Sequence, residues 1–423
     1  MLVWTDTEAG IGAAGTTVLN SPSAISGLGI VAGGASGLQA NNSTNSMWHY
    51  TAMGNQSPQS NGDRRGRHRA FDELRGLVIV LMTLDHVRGF VTPTGADPMN
   101  WQTTTVGFFL VRWMTHLCAP VFVILMGAAA ALRHRSRPSD SRSFLVSRGV
   151  WLIALEASWI SFSWSWDPKQ TYFGVLWALG GSMVLLALVI EWRREIVMAL
   201  GLGLLVGLEW LQLNPDPGWL RILVKPGEVS LLGHTIRCSY PLLPWFGAAA
   251  IGWSCAEPLK QASPTRLAML GAGALVAFVT YRYGTGWDPN PWGVQASIQL
   301  TVADFLSPSK YPPSLAFYLL TGGVGLLILA GAHRRGGRVS NELERLGRVP
   351  MMFYLLHLPI AHALGNVYAW IGYGQTKVPA SEPTRVWVVL VAWALVVALL
   401  LPACARWDAF KRRRRDLWWL GYL

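Results

Sequence analysis

The chain has 423 residues, 51% of them hydrophobic and only 14% charged, with 22 Trp and a net charge of +12. A soluble domain carries about a quarter charged residues, so these proportions exclude an ordinary soluble enzyme and indicate many membrane spans, with Trp near the ends of apolar stretches as interfacial belts. Clustered basic residues in a soluble protein would point to nucleic acid, but here they are spread over alternate loops and no nucleic-acid partner is expected.

Residues 1–70 are rich in Gly, Ser, Ala, Thr and Asn, hold no Lys or Arg before Arg64 and show no sustained periodicity, which predicts a disordered tail. No basic n-region precedes an apolar h-region, so a secretory signal is not expected. The segment reads as a functionless tail or as sequence upstream of a start at Met47 or Met53.

Ten apolar stretches follow, at 73–92, 107–132, 148–166, 172–190, 196–213, 241–256, 266–283, 315–332, 350–372 and 385–404. A bilayer core takes about 20 helical residues. The expected fold is therefore an all-α integral membrane protein of about ten transmembrane helices, with its domain at 71–405 and a basic tail at 406–423. Assigned to alternate sides, 25 of the 35 Lys and Arg fall on the first side and eight on the other, while Arg88 and Arg112 lie within spans. By the positive-inside rule both termini are expected in the cytoplasm.

The first stretch carries Arg75 at its inner end and Asp85, His86 and Arg88 within it. Ionisable groups inside a membrane are costly and mark functional sites. On a helix, residues 11 apart return to one face within about 20° and lie about 16 Å apart along the axis. Arg75 and His86 thus suit a long cytosolic donor such as acyl-CoA, its anionic head at Arg75 and its reactive end at His86. The imidazole can act as general base or carry the acyl group itself. The plainer readings make Arg75 a cytoplasmic edge residue and His86 an interhelical hydrogen-bonding group. Asp85 and Arg88 are three apart and can pair, so Asp85 is read equally as a charge partner and as a catalytic group.

Arg112 and His116 share one face of the second stretch, as residues four apart do. His116 is a candidate for proton transfer, and Arg112 for binding an anionic acceptor or offsetting Asp85; both also read as helix-orienting polar contacts. Glu156, deep in the third stretch, is expected to neutralise an arginine. The longest outer loops, 213–240 and 284–314, hold Trp287, Asp288, Trp292, Asp304, Lys310 and Tyr311. Aromatic and acidic residues together suit a sugar, but Trp here reads as an interface anchor and the prolines of SPSKYPP as the start of a helix. In the ninth stretch His357 and His362 are five apart and on different faces, and His357 lies at a depth similar to that of His86.

Cys118, Cys238, Cys255 and Cys404 form no C-x-x-C pair, so no metal site or disulfide framework is expected. No Walker loop, G-x-S-x-G elbow or H-E-x-x-H pattern is present. The sequence specifies no oligomeric state.

The string LRGLVIVLMTLDH, with Arg75 and His86 in R-x10-H spacing, resembles the signature of bacterial envelope membrane acyltransferases that O-acetylate glycans. More of the chain resembles the catalytic domain of the heparan-alpha-glucosaminide N-acetyltransferase family in its bacterial branch. The matching stretches are FDELRGLVIVLMTLDHVRGF, RWMTHLCAPVFVILMG, SYPLLPWFGAAAIGW, SPSKYPPSLAFYLLTGG, LGRVPMMFYLLHLPIAH and RRRRDLWWLGYL. The resemblance implies a multi-pass protein of the plasma (inner) membrane. Its implied donor is cytosolic acetyl-CoA or another acyl-CoA, and its implied acceptor an envelope glycan or lipid-linked sugar on the far side, with membrane lipids as partners. In the animal enzymes of that family an Asn stands at the position of His86 and the catalytic histidine lies in the first outer loop, where this chain has Val106. That role would have to pass to His86, and glucosamine does not follow as acceptor. A proton-coupled secondary transporter is the alternative function, but no internal repeat is present, which favours the enzyme.

Overall fold

The computed structural model describes residues 3–5, 58–213, 221–231, 233–284, 287–332, 336–414 and 416–422, so most of the tail expected at 1–70 lies outside the described residues. The helices are α1 (Pro58–Val91), α2 (Val106–Thr115), α3 (Cys118–Ser136), α4 (Pro138–Leu155), α5 (Ser161–Ser165), α6 (Val175–Val189), α7 (Arg194–Leu213), α8 (Arg221–Val224), α9 (Leu242–Gln261), α10 (Pro264–Gly284), α11 (Ile298–Phe305), α12 (Leu315–Ala332), α13 (Arg338–Arg348), α14 (Pro350–Tyr373) and α15 (Val386–Arg413). Each of the ten apolar stretches falls mostly on helix. The second is α2 with α3; the third is α4 and α5 joined through a π-helical turn, Glu156–Ile160.

Among the described residues, five helical segments are both long and apolar enough to cross a membrane: Val106–Ser136, Pro138–Ser165, Pro264–Gly284, Leu315–Ala332 and Val386–Arg413. The first stretch is long enough, but Glu73, Arg75, Asp85 and Arg88 make α1 too polar for that group. Apolar α6 has only 15 residues. The basic region from 406 onward begins as a continuation of α15, which ends at Arg413.

Two interruptions have local causes. Pro120 has no N–H to offer the carbonyl of His116, and its ring crowds that carbonyl, so the helix breaks at His116 and Leu117 before α3 begins. At the π-helical turn, the Glu156 carboxylate accepts hydrogen bonds from the Leu176 N–H at 2.5 Å and the Trp177 N–H at 3.1 Å. It therefore caps α6, whose first N–H groups have no partner within the helix. The expectation that Glu156 neutralises an arginine is corrected: backbone donors hold it. Glu156→Ala is expected to lower stability by about 1–3 kcal/mol, because it leaves buried donors unpaired. Thermal unfolding in detergent measures this, and an unchanged midpoint refutes the capping role.

Helix α1 is central, touching α2, α3, α12, α13, α14 and α15. Its contact with α13 is backbone to backbone: a Cβ at Gly76 would lie 1.9 Å from the Leu343 carbonyl oxygen, and one at Gly347 would lie 1.8 Å from that of Asp72. Arg69 fastens the same contact, donating to Glu73 at 2.7 Å and to Asn341 at 2.8 Å. The polar α13 lies outside all ten apolar stretches.

The purely α expectation also needs correction. A sheet in the order β1–β3–β4–β2 is formed by β1 (Val3–Thr5), β2 (Gln170–Phe173), β3 (Gly227–Leu231) and β4 (His234–Cys238). Strands β3 and β4 are antiparallel, and β2 lies parallel to β4. The fourth stretch, expected to turn helical at Tyr172, stays extended through Phe173, where Thr171, Tyr172 and Phe173 suit a strand.

The loop leading to α12 is organised by a buried ion pair, Arg282 with Asp288 at 3.2 Å. Arg282 also donates to the carbonyls of Asn290, Asp304, Phe305 and Ser307. Asp288 in turn accepts from Ser309 N–H at 3.1 Å and Ser314 Oγ at 2.7 Å.

Candidate functional site

His86 and His357 meet where α1 packs on α14, with His86 Nδ1 2.6 Å from His357 Nε2. The other nitrogen of His357, Nδ1, lies 2.6 Å from the Tyr354 carbonyl and 3.2 Å from that of Phe353. A carbonyl only accepts, so His357 Nδ1 carries a proton and neutral His357 accepts at Nε2. His86 therefore donates from Nδ1, which leaves the lone pair on its Nε2. Among the described residues Nε2 makes no hydrogen bond. A side chain that fixes the tautomer of a neighbouring histidine in this way orients a general base or nucleophile.

Aromatic rings hold the imidazole on its other side. Trp164 stands edge-on to His86 at 4.9 Å and is 5.5 Å from Phe90. Phe90 stacks on His362 at 4.5 Å, and His362 on Trp166 at 4.4 Å. The two α14 histidines thus divide as their spacing predicts: His357 bonds to His86, while His362 joins the stack and reaches the Ser163 carbonyl at 2.9 Å. Nothing in the sequence marked Trp164, which enters from α5.

Asp85 points away from this pair. Its Oδ1 accepts from Arg88 Nε at 3.1 Å, and its Oδ2 is bonded to Arg112. Of the two readings of Asp85, the geometry favours a charge partner of both arginines over a catalytic group. His116 is buried at the α2–α3 break, and its Nδ1 has no hydrogen-bond partner. The helix break sets its ring beside Phe317, 5.8 Å away.

Two residues read as structural join this second group. Tyr311 lies against Arg112, whose guanidinium is 5.8 Å from the ring, and the Lys310 ammonium is 5.1 Å from the same ring. Burial alone would raise the Tyr311 pKa, but the Lys310 and Arg112 charges bring it down to about 8. A phenol whose pKa is lower in the folded than in the unfolded chain adds stability that is fully present above its unfolded pKa, about 10, and lost as pH falls through 8. The thermal midpoint is therefore expected to climb between pH 8 and about 10 relative to Tyr311→Phe. Parallel pH profiles for the two proteins refute it.

A cavity of about 760 Å³ opens among α1, α3, α4, α6, α14 and α15. Its inner walls are apolar, including Ile79, Phe122, Leu152, Leu176, Met183 and Tyr354. Its lining also includes Arg75, Arg133, Arg148, Arg348, Lys411 and Arg412 against Asp72 and Asp408, four positive charges in excess. These basic residues all belong to the first side of the loop-charge map. Arg75 is bonded to Asp72 at 2.9 Å, and Arg348 to Asp408 at 3.0 Å. Arg133 keeps a buried Nε without a partner. Arg75 lines the cavity, but His86 is not among the lining residues. The lining includes Tyr354, whose carbonyl fixes His357 and whose ring stands edge-on to that imidazole at 5.2 Å. Among the described residues, no three or more His, Cys, Asp or Glu gather as metal ligands.

A search of curated proteins found no match to the chain. The family model "Heparan-alpha-glucosaminide N-acetyltransferase, catalytic" matches residues 67–284, which run from α1 through α10 and include Arg75, Asp85, His86, Arg88, Arg112 and His116. The match stops before Lys310 and His357. A polar helix carrying a fixed histidine inside an otherwise apolar bundle, together with a match over more than half the chain, places this protein in the heparan-alpha-glucosaminide N-acetyltransferase catalytic-domain family, a family of membrane acetyltransferases.

Proposed function

We propose that this chain is a membrane acyltransferase that moves an acyl group, acetyl by family, from acyl-CoA to an acceptor hydroxyl or amine on the opposite side of the membrane. The observation that carries the reading is the chain of hydrogen bonds from the Tyr354 carbonyl through His357 to His86, which leaves Nε2 of His86 as a base. The cavity supports it. Ligand pockets commonly enclose about 300–1,000 Å³, and a cationic mouth over apolar walls suits the phosphates and pantetheine arm of CoA.

In this reading all ten apolar stretches span the membrane, both termini are cytoplasmic, and the basic end of the cavity faces the cytosol, as the loop charges require. In direct transfer, Nε2 takes the proton of the acceptor O–H or N–H as that atom attacks the thioester carbonyl. The C–S bond then breaks, and the departing thiolate recovers the proton from Nε2. In a two-step path Nε2 attacks the thioester carbonyl first and the C–S bond breaks to release the thiolate; the acceptor then displaces Nε2 from the acyl carbon, and its proton goes to that thiolate. Both paths use the same nitrogen. The acceptor class is an outward-facing glycan, lipid-linked sugar or similar molecule.

The test is transfer of label from acyl-labelled CoA in proteoliposomes containing the full chain. Label should reach an added amine or sugar only when the donor is on the side of the basic cavity mouth. No transfer from either side with any acceptor would refute the proposal.

A further inference from the structure

The mechanism above leaves Lys310 unused, and its setting is unusual. It is 8% exposed, and its ammonium has neither an ion pair nor a hydrogen bond among the described residues; its one contact of note is the Tyr311 ring at 5.1 Å. Burying an unpaired charge is costly, so Lys and Arg in such places usually have partners.

Nor is its backbone free to withdraw. Lys310 forms a β-bridge with Pro313, and Ser309 and Ser314 on either side are tied to Asp288. The surrounding charges do not balance. Arg88, Arg112 and Lys310 face Asp85, and Asp97 acts on Arg88 from farther off, which leaves one positive charge in excess. Asp85, Arg88 and Arg112 keep 15%, 10% and 13% of their side-chain surface open, so the group is not sealed by packing. At its edge the buried His116 Nδ1 is a further polar atom without a partner.

We infer that Lys310, Arg112 and Tyr311 form a subsite for an oxyanion, a carboxylate or phosphate, carried by the acceptor. Ammonium and guanidinium together hold such a group by charge-assisted hydrogen bonds. Asp85 keeps Arg112 turned toward the site and is not its ligand. Asp85 and His86 are consecutive on α1 and so about 100° apart around it; the subsite holds the acidic group one face away from the imidazole, and the acceptor is a sugar acid or a phosphorylated molecule rather than a neutral sugar. This inference rests on His86 as the transfer centre.

The test uses the full chain in phosphatidylcholine nanodiscs, with inorganic phosphate, glucuronate and uncharged glucose as probes and the thermal midpoint as readout. Wild type and Lys310→Arg should gain roughly 3–8 °C from phosphate and glucuronate at saturation, and nothing from glucose. Lys310→Met should gain clearly less. The basic cavity mouth also meets these anions, so the decisive quantity is the difference between wild type and Lys310→Met. Arg75→Ala should lower the gain of both proteins and leave that difference intact.

Equal gains in wild type and Lys310→Met overturn the subsite. If Lys310→Met does not fold, Lys310→Gln against Lys310→Arg gives the same comparison. Phosphatidylglycerol in the discs separates the sources of the anion. If this lipid stabilises in a Lys310-dependent way and glucuronate then adds nothing, the oxyanion is a lipid headgroup; if glucuronate still adds its full gain, it belongs to a soluble sugar acid. CoA binding in the same discs keeps the two readings apart. Lys310→Met should bind CoA as wild type does, and failure of wild type to bind CoA defeats the donor assignment without touching the Lys310 result.

Discussion

His86→Ala is expected to lower acyl transfer by roughly 10²–10⁴-fold, the usual contribution of a positioned general base, while CoA affinity stays within about twofold. The variant removes the one atom that the hydrogen-bond chain leaves with a lone pair, and it removes none of the cavity lining. His357→Phe should cost less. Nε2 of His86 stays in place, but Nδ1 loses the acceptor that fixed the tautomer, so a share of the imidazole presents the wrong nitrogen. His357→Gln restores an acceptor and should recover part of the loss. Initial rates against acyl-CoA concentration separate these effects, since kcat should fall with KM almost unchanged. If His86→Ala transfers label within twofold of wild type, His86 is not in the mechanism.

The second large effect falls far from the imidazole. Arg282→Ala should destabilise the protein by about 3–5 kcal/mol, because removing one partner of a buried ion pair leaves the other charge uncompensated. The Arg282 and Asp288 side chains are only 1% and 3% exposed, and Arg282 also serves four backbone carbonyls. Asp288→Asn should cost less, since the amide oxygen can still accept from Ser309 or Ser314. Denaturant or thermal unfolding in detergent measures both, and a loss below about 1 kcal/mol for Arg282→Ala contradicts the staple. Because the staple also fixes the backbone beside Lys310, mild variants such as Arg282→Lys should weaken the response to added phosphate before they unfold the chain.

Helix positions were readable because long apolar runs mark themselves, and all ten apolar stretches fall mostly on helix. The polar α13 and the strands carry no such run, and their partners are distant in sequence: Gly76 with Leu343, Thr171 with Ile236. At the site, Arg75, Asp85, His86 and Arg88 stood out because charge is rare in an apolar helix, and depth brought His357 to notice. Lys310 and Tyr311 did not stand out, because two prolines gave their loop a sufficient local explanation. Their meeting with Arg112 depends on a chain path of about 200 residues that no periodicity encodes. Glu156 was misread for a related reason. Its partners are backbone N–H groups, which have no sequence signature.

The hydrogen-bond chain behind His86 ends at a peptide carbonyl, and this end has a consequence for the energetics of turnover. An amide oxygen is far too weak a base to hold a proton, so a proton taken up at Nε2 has no onward route through His357. It must leave by the face at which it arrived, where in the proposed transfer the departing thiolate is the base that receives it. In the proposed transfer each cycle then closes with its proton inventory unchanged, the membrane potential does no work on the chemical step, and the free energy of the thioester alone drives the acyl group across. A transporter built on the same residues would need a wire open at both ends, and this one is stopped at Tyr354.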